Sequence, residues 1–257
     1  MLSKPKIKFI RSLEQKKFRR QENAFVAEGH KCVGDLLTAG FRPKLILATN
    51  EWQCPIRLAE SVEMLTVTDE ELSRASLLQH PQQVLGVFEI PGNVLSPTAL
   101  ANISAQELVL ALDSVQDPGN LGTIIRTADW LGIKTIVCSS GTADAYNPKV
   151  VQATMGSIAR INIIYVDSLA DTLASLPSSV PVYGALLDGN DIYSAPLTHN
   201  GIIVMGNEGN GISAPVRECL THRILIPRYS NGEAESLNVS IATAIILSEF
   251  RRRNSAL

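Results

Sequence analysis

The chain has 257 residues, 45% hydrophobic and 19% charged, enough to bury a sizeable core as one large domain or two small ones. No apolar run approaches the roughly 20 residues of a membrane span, and its 17 glycines and 13 prolines are scattered, which excludes membrane-spanning, collagenous and wholly disordered chains. The formal net charge is −2, yet residues 1–20 carry eight Lys/Arg against one Glu while the remainder is −9, with Arg251, Arg252 and Arg253 near the far end. That asymmetry has two readings, a footprint for phosphate backbones or a solvated helix face.

In chain order, MLSKPKIKFIRSLEQKKFRR lacks the continuous apolar core of a secretory signal and reads as a basic helix over about residues 8–20. FVAEGHKCVGDLLTAG suits a second helix, KLILAT a strand, DEELSRASLL a helix and VLGVFEI a strand. A small α/β domain over residues 1–92 is the expected result. The stretch 91–104, rich in Pro, Gly, Asn and Ser, marks a domain boundary, with residues 93–105 as the linker. Cys32, Cys54, Cys138 and Cys219 form no CxxC pair and no zinc-ligand pattern, so reduced thiols, no metal and a cytoplasmic location are expected.

Residues 106–257 alternate more clearly: LVLAL (108–112), TIVC (135–138), INIIYV (161–166), VYGALL (182–187), IIVM (202–205) and ILI (224–226) read as buried strands with helices between several of them. That pattern predicts an α/β fold, a mostly parallel sheet covered on both faces, with ligands held in loops beyond the carboxyl ends of its strands.

Three segments carry chemistry. In DSVQDPGNLGTIIRTADWLGI (113–133) a strand runs through a Pro-Gly-Asn turn into a helix, with Asn120 placed to cap it and Ile124, Ile125, Ala128 and Leu131 as its buried stripe. Arg126 stands on another face, where an ion pair with Asp129 is its simplest use. In IIVMGNEGNGI (202–212) a strand ends in Gly206, Gly209 and Gly211 around one carboxylate, Glu208, which reads either as a binding loop or as a plain turn. In LIPRYSNGEAESLNVSIATAIILSEF (225–250), strand, turn and helix follow one another. Ser236 suits the cap, and Leu237, Ile241, Ala244, Ile245 and Leu247 make the helix apolar on more than one side, as if partly covered by a partner chain. Asn238 and Ser240 need polar partners, a ligand or the core.

Taken in this order, NLGTIIRTADWLGI, MGNEGNGI and IPRYSNGEAESLNVSIATAIILSEF resemble the three motifs of the SpoU (TrmH-like) RNA ribose 2′-O-methyltransferases of the SPOUT superfamily. The basic leader, FVAEGHK and HPQQVLGV resemble the small RNA substrate-binding domain that many of these enzymes carry, itself similar to ribosomal proteins that bind kink-turn RNA. The resemblance implies a deep trefoil knot in the C-terminal domain, an obligate homodimer and bound S-adenosyl-L-methionine. It also implies site residues: Asn120, Arg126, Glu208, Ser236 and Asn238 for catalysis, and Leu186, Gly206, Asn207, Gly209, Gly211, Ile226 and Leu237 for the cofactor. Arg228 after Pro227, and a stretch to Ser236 about two residues longer than usual, depart from the commoner third motif; such loop length costs little.

The activity so implied is methyl transfer to a ribose 2′-OH of RNA, most simply 23S ribosomal RNA through the N-terminal domain and basic leader; the alternatives are transfer RNA, or RNA binding without catalysis. Positioning supplies much of the rate of such a reaction. A guanidinium stays protonated, so Arg126 is a bidentate phosphate clamp, and the proton passes to the bound phosphate or to a carboxylate such as Glu208. An unrelated nucleotide-binding enzyme would need a phosphate loop or GxGxxG, and neither is present.

Overall fold

The computed structural model describes residues 2–92, 96–229 and 236–254. In chain order the elements are α1 (Lys4–Ser12), α2 (Lys16–Glu22), β1 (Ala24–Glu28), α3 (His30–Thr38), β2 (Pro43–Ala48), β3 (Glu63–Thr66), α4 (Asp69–Ala75), β4 (Val84–Glu89) and α5 (Pro97–Ser104). They continue with β5 (Leu108–Leu112), α6 (Pro118–Trp130), β6 (Thr135–Ser139), α7 (Pro148–Thr154), a 3-10 turn (Ser157–Ala159), β7 (Asn162–Val166) and α8 (Leu169–Ala174). The chain ends with β8 (Val182–Asp191), β9 (Gly201–Met205), α9 (Ala214–Glu218), β10 (His222–Leu225) and α10 (Val239–Asn254). Two compact units result: Met1–Gly92 with Asp144–Arg160, and Asn93–Ala143 with Ile161–Leu257.

The first unit is a four-stranded sheet in the order β1-β4-β2-β3, mixed in direction, whose one face is covered by Ile10, Leu13, Leu72 and Ala75. Two readings are corrected here, and one strand is added. The basic leader is two helices, because the Arg19 guanidinium, 1% exposed, turns back to take the Leu13 and Glu14 carbonyls at 2.8 and 2.7 Å. FVAE is a strand, buried at every position and paired with β4; Gly29, at φ 90°, then turns the chain into α3. The short strand β3, exposed at most positions, carries no alternation a sequence could reveal. The excursion 144–160 joins this unit through specific interactions: Asp144 accepts from Arg19 at 2.7 and 3.1 Å, Tyr146 packs on Phe25 with ring centres 4.8 Å apart, and Arg160 pairs with Asp35 at 2.8 Å.

The second unit is a six-stranded, fully parallel sheet in the order β10-β8-β9-β5-β6-β7. β5, β6 and β9 are buried along their whole length, as strands covered on both faces must be. Part of the expected linker is helix, α5, capped by Ser96, which accepts from the Ala99 N–H at 3.1 Å. From β5 the chain builds outward to β6 and β7, then crosses to place β8 and β9 on the other side of β5. The adjoining ends of β5 and β9 therefore form a topological switch point, where the loops after the two strands diverge and leave a crevice.

Positive charge at the C-terminal end is spent internally. Arg251 donates to the Leu131 and Gly132 carbonyls at the end of α6, at 2.7 and 2.9 Å, while Arg252 and Arg253 both grip Glu249. Their hydrogen bonds and charge hold the Glu249 carboxyl down at about 2. All four cysteines are free, and among the described residues no group of His, Cys, Asp and Glu could hold a metal and no helix is long and apolar enough to cross a membrane.

Candidate active site

The switch-point crevice brings the three sequence segments together. After β5, Ser114 adopts a left-handed conformation, φ 60°, rare for a residue with a side chain. Asp117 then starts α6, its carboxylate accepting from the Asn120 N–H at 2.7 Å, with Pro118 as the first helical residue. Asn120 is therefore inside the helix and not its cap. That frees its side chain, whose Nδ2 donates to Glu208 Oε1 at 3.1 Å and whose Oδ1 accepts from Asn238 Nδ2 at 2.9 Å.

Glu208 sits at the centre. It also accepts from the Gln116 and Asp117 backbone N–H groups, each at 3.1 Å, and from Asn207 Nδ2 at 3.4 Å. Partial burial works against its charge, but the hydrogen bonds from Asn120, Gln116, its own backbone and Asp117 outweigh it and hold the carboxyl below its ordinary value. Asn238, not Ser236, caps α10: its Oδ1 accepts from the Ser240 N–H at 2.9 Å and the Ser240 hydroxyl at 2.6 Å. Amide dipoles thus run in one direction, from the start of α10 through Asn238 and Asn120 to the Glu208 carboxylate, and each polarises the next. Ser236 is exposed and bonds to none of the described residues in this network.

The glycine turn is tighter than a ligand cradle requires. A Cβ on Gly206 would lie 2.2 Å from the Gly211 carbonyl carbon, and Gly211 itself has φ 68°. Asn207 organises the turn, its Oδ1 accepting from the Gly209 and Asn210 N–H groups at 3.0 Å and its Nδ2 donating to the Ser114 carbonyl at 2.7 Å. Buried Asp113 accepts from the Ser213 N–H at 2.8 Å and stitches the far side. Asp113, Gln116 and Asp117 were not among the sequence candidates; for Asp117 the signal was an Asp directly before a helix-starting Pro, a stronger capping pattern than the Asn three residues after it.

The remaining candidates divide. Leu186 is buried in the core of the unit, so only its backbone is available to a ligand. Ile226 lies just past the end of β10 and is half-buried; Leu237 is 51% exposed. The turn 206–213 holds no Lys or Arg, and two apolar side chains of the same unit stand exposed, Leu237 just before α10 and Leu187, 74% exposed, within β8. This surface of backbone amides and apolar groups fits an uncharged nucleoside moiety and not a polyphosphate. Arg126 is not in the network. It is exposed, with no hydrogen bond or ion pair to Asp129 or any other described residue. It lines a groove of about 890 Å³ between α6 and α10, with Thr123, Trp130, Ala244 and Ile245.

Residues 107–248 match the SpoU rRNA Methylase family, and residues 4–86 match the MRM3-like substrate binding domain. The chain belongs to the SpoU rRNA methylase family. It is 34% identical over 253 residues, 96% of each chain, to the 23S rRNA (guanosine(2553)-2′-O)-methyltransferase RlmP of Bacillus subtilis. Among solved structures it resembles a TrmH-family protein from Porphyromonas gingivalis, at 41% identity, TM-score 0.90 and 99% and 100% coverage of the two chains. An AdoMet-bound rRNA methyltransferase from Sinorhizobium meliloti is 34% identical, with TM-score 0.85 and coverage of 100% and 97%. The three motifs of this SpoU chain are the segments that its Glu208–Asn120–Asn238 network joins.

Proposed function

We propose that this SpoU chain is an S-adenosylmethionine-dependent methyltransferase acting on a ribose 2′-OH of 23S ribosomal RNA, in the cytoplasm. The observation that carries the reading is the network at the switch point, which unites the three family motifs in one crevice. Backbone of Leu186, Gly206, Asn207, Gly209, Gly211, Ile226 and Leu237 would hold the cofactor, which supplies an electrophilic methyl group when bound. Glu208 fixes the first loop to the second. With four donors already on its oxygens and its carboxyl held low, it is poorly placed to take a proton. Arg126, lacking a partner among the described residues, is available to clamp a substrate phosphate bidentately, and the 2′-OH proton passes to that phosphate.

The finer readings rest on the same elements. A trefoil knot is supported by the path of the chain: β10 lies at the sheet edge beside β8, yet α10 packs on α6 and its Arg253 donates to the Ile192 and Ala195 carbonyls between β8 and β9. A homodimer is supported by two exposed apolar side chains, Trp130 at the end of α6, 89% exposed, and Ile241 on α10, 52% exposed, which a second copy would bury while leaving Arg126 open to substrate. The first unit, whose residues 4–86 match the MRM3-like substrate binding domain, would carry the RNA substrate. The test is transfer of labelled methyl from S-adenosylmethionine to unmodified large-subunit ribosomal RNA. The product should resist alkaline cleavage, and Arg126→Ala and Arg126→Lys should both lose most turnover with cofactor affinity intact. Methyl on a base, or full turnover by Arg126→Ala, overturns the reading.

A further inference from the structure

Tyr229 is 87% exposed, and among the described large apolar side chains only Trp130, which a second copy would bury, is more so. It forms no hydrogen bond or ring contact with any described residue. It stands four residues past the end of β10, at the edge of the sheet that carries the crevice, next to the exposed Arg228. In sequence it precedes Asn238, a member of the site network, by nine residues.

We infer that Tyr229 stacks on a nucleobase of the RNA substrate and so holds the nucleotide whose ribose is methylated; this rests on the function proposed above. The polar side chains of the network are committed to one another: Glu208 to four donors, Asn120 to Glu208 and Asn238, Asn238 to α10. They leave little with which to grip a base edge, whereas a 2′-OH must be fixed against a methyl donor to react. An aromatic face in water beside a cation meets that need, because any base stacks on a phenol ring and the guanidinium neighbour attracts the flanking phosphate. Stacking is sequence-tolerant, so Tyr229 contributes affinity and not base identity.

The experiment compares wild type with Tyr229→Phe, Tyr229→Leu and Tyr229→Ala in two measurements. One is binding of fluorescently labelled, unmodified large-subunit ribosomal RNA fragments to the chain loaded with S-adenosylhomocysteine. The other is S-adenosylmethionine affinity by calorimetry, with sedimentation checking the oligomeric state. Tyr229→Ala and Tyr229→Leu should weaken RNA binding by about tenfold or more, the scale of one base–aromatic stack, while Tyr229→Phe stays within about twofold. Cofactor affinity and assembly should not move. RNA binding by Tyr229→Ala or Tyr229→Leu equal to wild type overturns the inference, as does loss of cofactor binding or of assembly in Tyr229→Ala. A wild-type chain that binds the RNA but methylates no ribose defeats the proposed function instead, and the binding comparison still decides the role of Tyr229.

Discussion

Glu208 illustrates how a residue's role is settled by what surrounds it. As a letter it is one carboxylate among three glycines, open to duty as a base; in place, it is the anchor on which the loop after β5, the first turn of α6 and the glycine turn converge. Glu208→Gln puts an NH2 group against N–H donors and leaves some of them unsatisfied, so the variant should melt below wild type at pH 7. The sign of its pH dependence follows from the lowered carboxyl. The contribution of Glu208 is fully present above its ordinary 4.5 and is lost as pH falls through the lower folded value. Thermal melts of both proteins at pH 7 and about pH 3.5 should therefore show a gap that narrows in acid. A gap independent of pH would mean that Glu208 acts by shape alone.

At the scale of the element, α6 ties sequence to chemistry. Its apolar stripe of Ile124, Ile125 and Ala128 is buried as the periodicity predicts, although Leu131 is only half-buried. Its start is displaced from the expected one because Asp117 caps it, and that displacement turns Asn120 from a cap into a connector. Asp117→Ala should cost about 1 kcal/mol, the usual loss for an N-cap. It should also lower turnover, because the same turn presents the Gln116 and Asp117 N–H groups to Glu208. Chemical denaturation with a parallel rate assay checks both, and an unchanged rate would detach the cap from the site. β1 is the converse case: FVAE reads with the helix that follows it, and pairing with β4 makes it a strand.

Across the whole molecule, the basic leader divides into structural and solvated charge. Arg19 is buried against Asp144, Lys6 pairs with Glu63 and Arg11 donates to the Arg74 and Ser76 carbonyls, which leaves Lys4, Lys8, Lys16, Lys17 and Arg20 exposed. Deleting residues 1–20 would remove Ile10 and Leu13 from the core and so could not isolate the leader's effect on RNA. Replacing Lys16, Lys17 and Arg20 by Gln should instead leave the melting temperature unchanged and reduce the salt dependence of RNA binding by about 0.7–0.9 log-log units for each phosphate no longer neutralised. Arg19→Ala should behave oppositely, destabilising the first unit by about 3–5 kcal/mol because it leaves Asp144 without its partner. An unaltered salt slope in the triple variant would make those charges solvated and nothing more.

The sequence by itself determined the parallel α/β class, four of the six strands of the large sheet to within one residue at each end, and the three motif segments, since continuous apolar runs and local turn chemistry are properties of neighbouring residues. It determined the family as well, because three ordered motifs are jointly specific. Only the tertiary structure decided which polar groups are partners. Glu208 and Asn120 are 88 positions apart, and Asn120 and Asn238 are 118. Arg19 and Asp144 are separated by 125. No local pattern encodes pairings across such distances; the crossing of the chain at the β5–β9 switch point brings the first two together, and the excursion 144–160 makes the last.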